Sequence, residues 1–202
     1  MNYNQLLNLG LEAAVKAGKE IINIYKNTEK IDYENKKDNS PLTIADTKSH
    51  NIICQHLKKT EINIISEESN MQDYNTRKNW KHYWLIDPLD GTKEFIKKNG
   101  EFTVNIALIK KNKPIIGIVY CPTKKTLYWN HPEKGGFKKK NKTIKLKKRK
   151  SVDFNKSNLR IITSRSHMNS KTKNFISKLK NPKTISCGSS LKILLLAENK
   201  AD

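Results

Sequence analysis

Two aspartates, a glycine and a threonine stand within six residues, Asp87-Pro88-Leu89-Asp90-Gly91-Thr92, directly after the apolar run Tyr83-Trp84-Leu85-Ile86. A strand ending there would fix the first carboxylate, and Pro88 would hold the turn open. Gly91 and Thr92 would offer backbone amides where a helix starts at Lys93. Carboxylate oxygens are the hard ligands that Mg²⁺ takes, so the string reads as a cation site facing a phosphate. Further acids, Asp46 and the pair Glu67-Glu68, fall at a predicted helix start and a predicted strand end. If the three clusters converge, such close like charges require cations between them. Two or three Mg²⁺ ions would then clamp a phosphate ester and lower the pKa of a water. Each cluster also has a plainer reading. Asp46 caps a helix from Thr43, the glutamates are solvated loop acids, and the aspartate string is a turn.

The elements that must position these groups follow from periodicity. Leu7, Leu11, Ala14, Gly18, Ile21 and Tyr25 recur at three- and four-residue steps and predict an amphipathic helix from Asn4 to Lys26. Asp32 to Ser40 reads as a polar loop. Thr43 to Asp46 reads as a helix start, with Ile53 and Leu57 continuing one face. Ile62 to Ile65 is a short strand, Asn70 to Lys81 is polar and irregular, and Tyr83 to Ile86 is the strand carrying the aspartates. Thr103 to Ile109, Pro114 to Cys121, Thr126 to Asn130 and Thr143 to Lys147 then suggest an antiparallel meander. Strand Arg160 to Ser164, helix Ser170 to Leu179, strand Thr184 to Cys187 and helix Ser190 to Asn199 complete the pattern. The expected fold class is α/β (α+β layered), with helices around two sheets as α/β/α/β/α.

The 202 residues are enough for one well-buried domain, and the composition, 36% hydrophobic and 29% charged, suits a soluble protein. Runs such as Ile193 to Ala197 fall far short of the roughly 18 apolar residues that cross a bilayer. Met1 to Asn4 lacks the features of a signal peptide, so a cytoplasmic location is expected. Cys54, Cys121 and Cys187 show no metal-ligand spacing, and burial in a reducing compartment explains them. The net charge of +21 invites a nucleic-acid reading, yet only four of the 40 basic residues are arginines. The densest run, Lys134 to Lys150, holds ten of them, and removing it still leaves 21 − 10 = +11. The excess is global, so no nucleic-acid partner is expected; a lysine coat that attracts a small anionic substrate is.

The string from Trp84 to Thr92 resembles the signature of the Mg²⁺-dependent, lithium-sensitive phosphatases that include inositol monophosphatase and fructose bisphosphatase. Within that superfamily, Asp38 to Asp46, Ser66 to Glu68, Gly91 to Phe95 with Asn99 to Ala107, Ser164 to His167, and Gly188 to Lys192 are similar to the bacterial 3'(2'),5'-bisphosphate nucleotidases of sulfur assimilation. The resemblance implies a sugar-phosphatase-like fold in a single domain over residues 1–202. An α+β subdomain, 1–150, would carry the metal site and an α/β subdomain would span 151–202. It implies hydrolysis of 3'-phosphoadenosine 5'-phosphate to AMP and phosphate, with Mg²⁺ as cofactor and inositol monophosphate as the rival substrate. It also permits peripheral association with the cytoplasmic face of the inner membrane, and leaves the oligomeric state open.

Carried onto these residues, the resemblance gives Glu67, Asp87, Asp90 and the carbonyl of Leu89 to the metal. Asp46 and Thr92 become the pair that activates water. Glu67, Leu89, Asp90, Gly91, Thr92, His167, Ser189 and Lys192 fall to the substrate. On their own residues, Ser189 could cap a helix and His167 could be a surface histidine. Family members continue past the segment matching Leu194 to Asp202 into a Trp-Asp-x-Ala-Ala-Gly motif, whose aspartate completes the site. The expectation is therefore a fold whose last portion is missing, with a weakly active or inactive nucleotide-binding remnant as the alternative.

Overall fold

The computed structural model describes residues 2–36, 38–148 and 151–202. Its first helix, α1 (Tyr3–Asn27), is capped by Asn2, whose side chain accepts from the amides of Asn4 and Gln5. The buried face is built of Leu6, Leu7, Ala13, Ala14, Ala17 and Ile21, with Gly10 and Gly18. Small residues let the helix lie close on the sheet. A Cβ at Gly18 would stand 2.4 Å from the Tyr120 ring. Helix α2 (Ile44–Leu57) packs beside α1. Two-residue strands β1 (Glu34–Asn35) and β2 (Pro41–Leu42) pair ahead of α2, so the segment expected as a loop folds into a short hairpin.

Seven strands form the main sheet in chain order: β3 (Asn63–Ser66), β4 (His82–Asp90), β5 (Thr103–Lys110), β6 (Lys113–Cys121), β7 (Thr126–His131), β8 (Gly135–Lys139) and β9 (Thr143–Lys145). The pair β3 and β4 is parallel, and the remainder is the expected antiparallel meander. Trp84, Ile86, Val104, Ile106, Ile116 and Ile118 bury one face of this sheet against α1 and α2, each such side chain contributing about 1.5–3 kcal/mol. Strands β10 (Arg160–Ser164) and β11 (Lys183–Cys187) pair in parallel around α5 (Ser170–Ser177) as a second sheet, followed by α6 (Leu191–Ala197). The layered α/β class holds.

Three local expectations are corrected. The strand carrying the aspartates does not end at Ile86. It runs through Asp90, with a register shift between Asp87 and Asp90 that absorbs Pro88, which has no N–H for the ladder. The following helix, α4 (Thr92–Ile96), starts one residue earlier than expected. The polar stretch Asn70 to Lys81 contains the short helix α3 (Tyr74–Arg77), capped by Asp73. Strand β8 was not anticipated because Gly135-Gly136-Phe137-Lys138-Lys139 carries no apolar alternation. Of the lysine-rich run Lys134 to Lys150, residues 149 and 150 lie outside the described residues. Cys121 and Cys187 are buried, Cys54 is half-buried, and all three are free thiols. Among the described residues no helix is long and apolar enough to cross a membrane.

Candidate active site

Asp46 closes the cap of α2 and also meets Thr92, the residue expected as its partner. Thr43 caps α2 and Asp46, at the third helical position, closes the capping box. Its Oδ2 accepts from the Thr43 amide at 2.8 Å and the Thr43 hydroxyl at 2.5 Å. Its Oδ1 accepts from the Thr92 hydroxyl at 3.0 Å, across the α2–α4 contact. The side chain is 1% exposed, and burial pushes its carboxyl up to about 6 against the pull of these three donors. Capping box and Thr92 together fix both carboxylate oxygens of Asp46.

The register shift at the end of β4 sets the next three groups. Asp87 lies opposite Asn105 on β5, and Asp90 opposite Thr103. Leu89 is buried between them, and its carbonyl is 3.2 Å from the Thr92 hydroxyl. Asp87 Oδ1 is buried without a hydrogen-bond partner. Burial, then the charges of Asp90 and Glu67, push the Asp87 carboxyl upward. Glu67 follows β3 and its amide donates to the Ile86 carbonyl at 3.1 Å, which brings it beside the end of β4. Asp90 Oδ2 accepts from the Ser190 amide at 2.6 Å, the Ser190 hydroxyl at 2.5 Å and Asn105 Nδ2 at 3.2 Å. Lys36 reaches both Glu67, at 2.8 Å, and Glu68, at 2.6 Å.

Among the described residues no three carboxylate, histidine or thiol side chains gather at ligand spacing. Mutual repulsion opposes closer approach. The donor set nevertheless fits a hard divalent cation: it is all oxygen, and it includes an orphaned buried carboxylate oxygen that only a donor or a cation satisfies.

Seven of the expected residues, Glu67, Asp90, Gly91, Thr92, His167, Ser189 and Lys192, line one cleft of about 210 Å³. Asp46 sits behind Thr92, Leu89 lies beneath it, and Asp87 opens with Glu67 onto an adjoining apolar groove of about 510 Å³. The cleft mixes charges: Glu67, Asp90 and Glu94 share its lining with Lys93, His167 and Lys192. Lys93 Nζ stands 3.3 Å from His167 Nε2, and Lys192 Nζ donates to the Ser189 carbonyl at 2.7 Å. The capping role for Ser189 is minor: α6 begins at Leu191, whose amide is 3.4 Å from Ser189 Oγ. Glu101 joins the two sheets by pairing with Arg165 through both oxygens at 2.7 Å and accepting from the Gly188 amide at 2.7 Å. Ser166 donates to buried Glu94 at 2.6 Å. A larger cavity of about 690 Å³, between β7, β8 and α6, is lined by lysines with Glu198 and lies apart from the carboxylates.

Lys36, Lys93, Asn105 and Ser190 escaped the reading of the sequence. One lysine among many gives no signal. Asn105, by contrast, is a polar residue within the apolar run of β5, directly across from Asp87, and that pattern could have marked it.

The chain is similar to known proteins over almost its whole length. The model of the inositol monophosphatase family matches residues 2–202. The 3'(2'),5'-bisphosphate nucleotidase CysQ of Escherichia coli K12 is 40% identical over 97% of this chain and 78% of its own length. The protein of the same name from Buchnera aphidicola is 40% identical over 98% of this chain and 74% of its own. The crystal structure of CysQ from Bacteroides thetaiotaomicron superposes with a TM-score of 0.82 at 39% identity, covering 98% of this chain and 78% of that one. A staphylococcal inositol monophosphatase-1 soaked in LiCl shares the fold at 21% identity, with a TM-score of 0.81 and coverage of 100% and 74%. With the family's model matching residues 2–202 and relatives at about 40% identity along almost the whole chain, the protein belongs to the inositol monophosphatase family.

Proposed function

We propose that the chain is a Mg²⁺-dependent phosphomonoesterase that hydrolyses 3'-phosphoadenosine 5'-phosphate to AMP and phosphate. The observation that carries this reading is a single cleft in which carboxylates, Gly91 and Thr92 share the lining with Lys93, His167 and Lys192. An ester phosphate at Gly91 and Thr92 would lie beside Asp90 and Glu67, and a second phosphate would meet Lys93 and Lys192, which suits a bisphosphate better than a monophosphate. The relatives at about 40% identity carry the nucleotidase name. A fold neighbour, an IMPase/NADP phosphatase, is described in complex with Mg²⁺ and phosphate.

Glu67, Asp87, Asp90 and the Leu89 carbonyl would hold Mg²⁺. When bound, it supplies positive charge to the phosphate oxygens and acidifies water. Thr92 gives its proton toward Asp46 Oδ1, which leaves the Thr92 oxygen able to accept a proton from the attacking water. Water oxygen bonds to phosphorus as the ester P–O bond breaks, and the departing ester oxygen takes a proton from solvent to leave as a hydroxyl, balancing the proton that the water gave up toward Thr92 and Asp46. Gly91 positions the phosphate at the α4 start, and Ser189 orients the nucleotide. Residues 1–150 would form one subdomain and 151–202 the other, joined across the cleft by Glu101 and Arg165. Cytoplasmic residence, with the lysine-rich surface drawn to an anionic membrane face, completes the proposal.

Phosphate release with Mg²⁺ tests it, comparing 3'-phosphoadenosine 5'-phosphate, inositol 1-phosphate and AMP. The expected result is a kcat/KM at least about tenfold higher for the bisphosphate, abolished by chelation and by Asp90→Asn, and lowered about 10²–10⁴-fold by Asp46→Asn. Binding of the nucleotide with no release above background would refute the enzymatic reading.

A further inference from the structure

Asn105 and Asp87 occupy facing positions on β5 and β4, so their side chains share one face of the sheet. Asn105 Nδ2 uses both of its hydrogens, donating to Asp90 Oδ2 at 3.2 Å and to Ser190 Oγ at 2.9 Å. Ser190 adds its own amide and hydroxyl to the same Asp90 oxygen. The amide orientation is set by chemistry: turned over, Asn105 would bring its carbonyl oxygen against a carboxylate that is an acceptor only. Asn105 Oδ1 therefore points away from Asp90, and it is buried with no donor. Asp87 Oδ1 is in the same condition. Two cross-strand neighbours thus each bury an acceptor oxygen with nothing to accept from, at the edge of the carboxylate cluster. Buried acceptors are ordinarily satisfied, so a pair of them marks a place for a guest that brings donors.

We propose that Asn105, oriented by Ser190, is the positioning residue of the divalent-cation site. Its amide hydrogens aim Asp90, and its carbonyl oxygen receives a hydrogen bond from water carried by a cation held at Asp87. Mg²⁺ retains several waters when only a few carboxylates hold it, so an amide acceptor beside the site engages its hydration shell. Partners of this kind orient ligands and change metal affinity by about 10–100-fold when removed. The assignment rests on the metal-dependent reading above and extends it to two residues outside the expected set.

Electron paramagnetic resonance of Mn²⁺ titrated into the full chain measures the affinity without substrate or turnover. Asn105→Ala is expected to weaken Mn²⁺ binding by at least about tenfold while leaving the circular dichroism spectrum and the number of ions bound at saturation unchanged. Ser190→Ala is expected to weaken it also, and Ser190→Thr, which keeps the hydroxyl, to restore it. That rescue separates positioning from simple packing, and the Ser190 pair carries the test if Asn105→Ala fails to fold. Wild-type affinity in both alanine variants would overturn the inference and leave the metal-dependent reading standing. A wild-type chain that binds no Mn²⁺ would overturn that reading and the inference with it.

Discussion

At the scale of single residues, Asp87 is a carboxylate with a buried oxygen, set among other acids. Burial and the neighbouring charges of Asp90 and Glu67 raise its carboxyl. A carboxyl whose folded pKa exceeds its unfolded value destabilises the fold increasingly as pH rises above the unfolded value. Asp87→Asn removes that charge. In chelator-treated protein it is expected to add about 1 kcal/mol near neutral pH, or about 2–4 °C in Tm, with a gain that shrinks toward pH 4. The same variant is expected to lose most of the thermal shift that Mn²⁺ confers on the wild type. Melting curves with and without the ion, at two pH values, check both halves. Asp46 and the aspartate string could be read from the sequence because helix capping and local turn chemistry involve residues a few positions apart. Ser190 and Lys36 could not, because their carboxylate partners lie 100 and 31 residues away.

At the scale of elements, two junctions set the geometry. Gly91 has φ of +97°, and a Cβ there would stand 2.9 Å from the Glu101 carbonyl oxygen and 3.1 Å from Ser189 Cβ. Gly91→Ala is expected to cost about 1–3 kcal/mol and to lower phosphate release further by displacing Ser189, which denaturation and assay at low temperature would separate. Beyond the other end of α6, Glu198 accepts from Lys138 at 2.8 Å, Lys200 at 2.7 Å and the Tyr128 hydroxyl. Burial alone would raise its carboxyl, yet these donors prevail and hold it down at about 2. Its stabilisation is present above the unfolded value of about 4.3 and is lost as pH falls toward the folded one. With discount for solvent screening, Glu198→Gln is expected to cost about 1–2 kcal/mol at neutral pH and progressively less below about pH 4 in urea titrations. Most elements were legible because α1 and the meander carry strong periodicity. The continuation of β4 past Pro88 was not, since its register is set by Asn105 and Thr103 on the neighbouring strand.

At the scale of the whole molecule, a net charge of +21 surrounds a cleft meant for an anion. Electrostatic attraction of this kind raises encounter rates and is screened by salt. Raising ionic strength from about 20 to 300 mM is expected to lower kcat/KM for a doubly phosphorylated substrate several-fold with little change in kcat, as steady-state kinetics at constant Mg²⁺ would show.

The bond between Asp90 and Ser190 joins residues 100 positions apart. Contacts of such long sequence separation close late, because the intervening chain must first lose its freedom. The meander carrying Asp87 and Asp90 can pair strand by strand through short connections, but Asp90 acquires the two Ser190 donors only when α6 arrives. On the proposed reading, competence to hold a cation would be completed late in folding, and a half-assembled chain would meet Mg²⁺ before Ser190 aims Asp90.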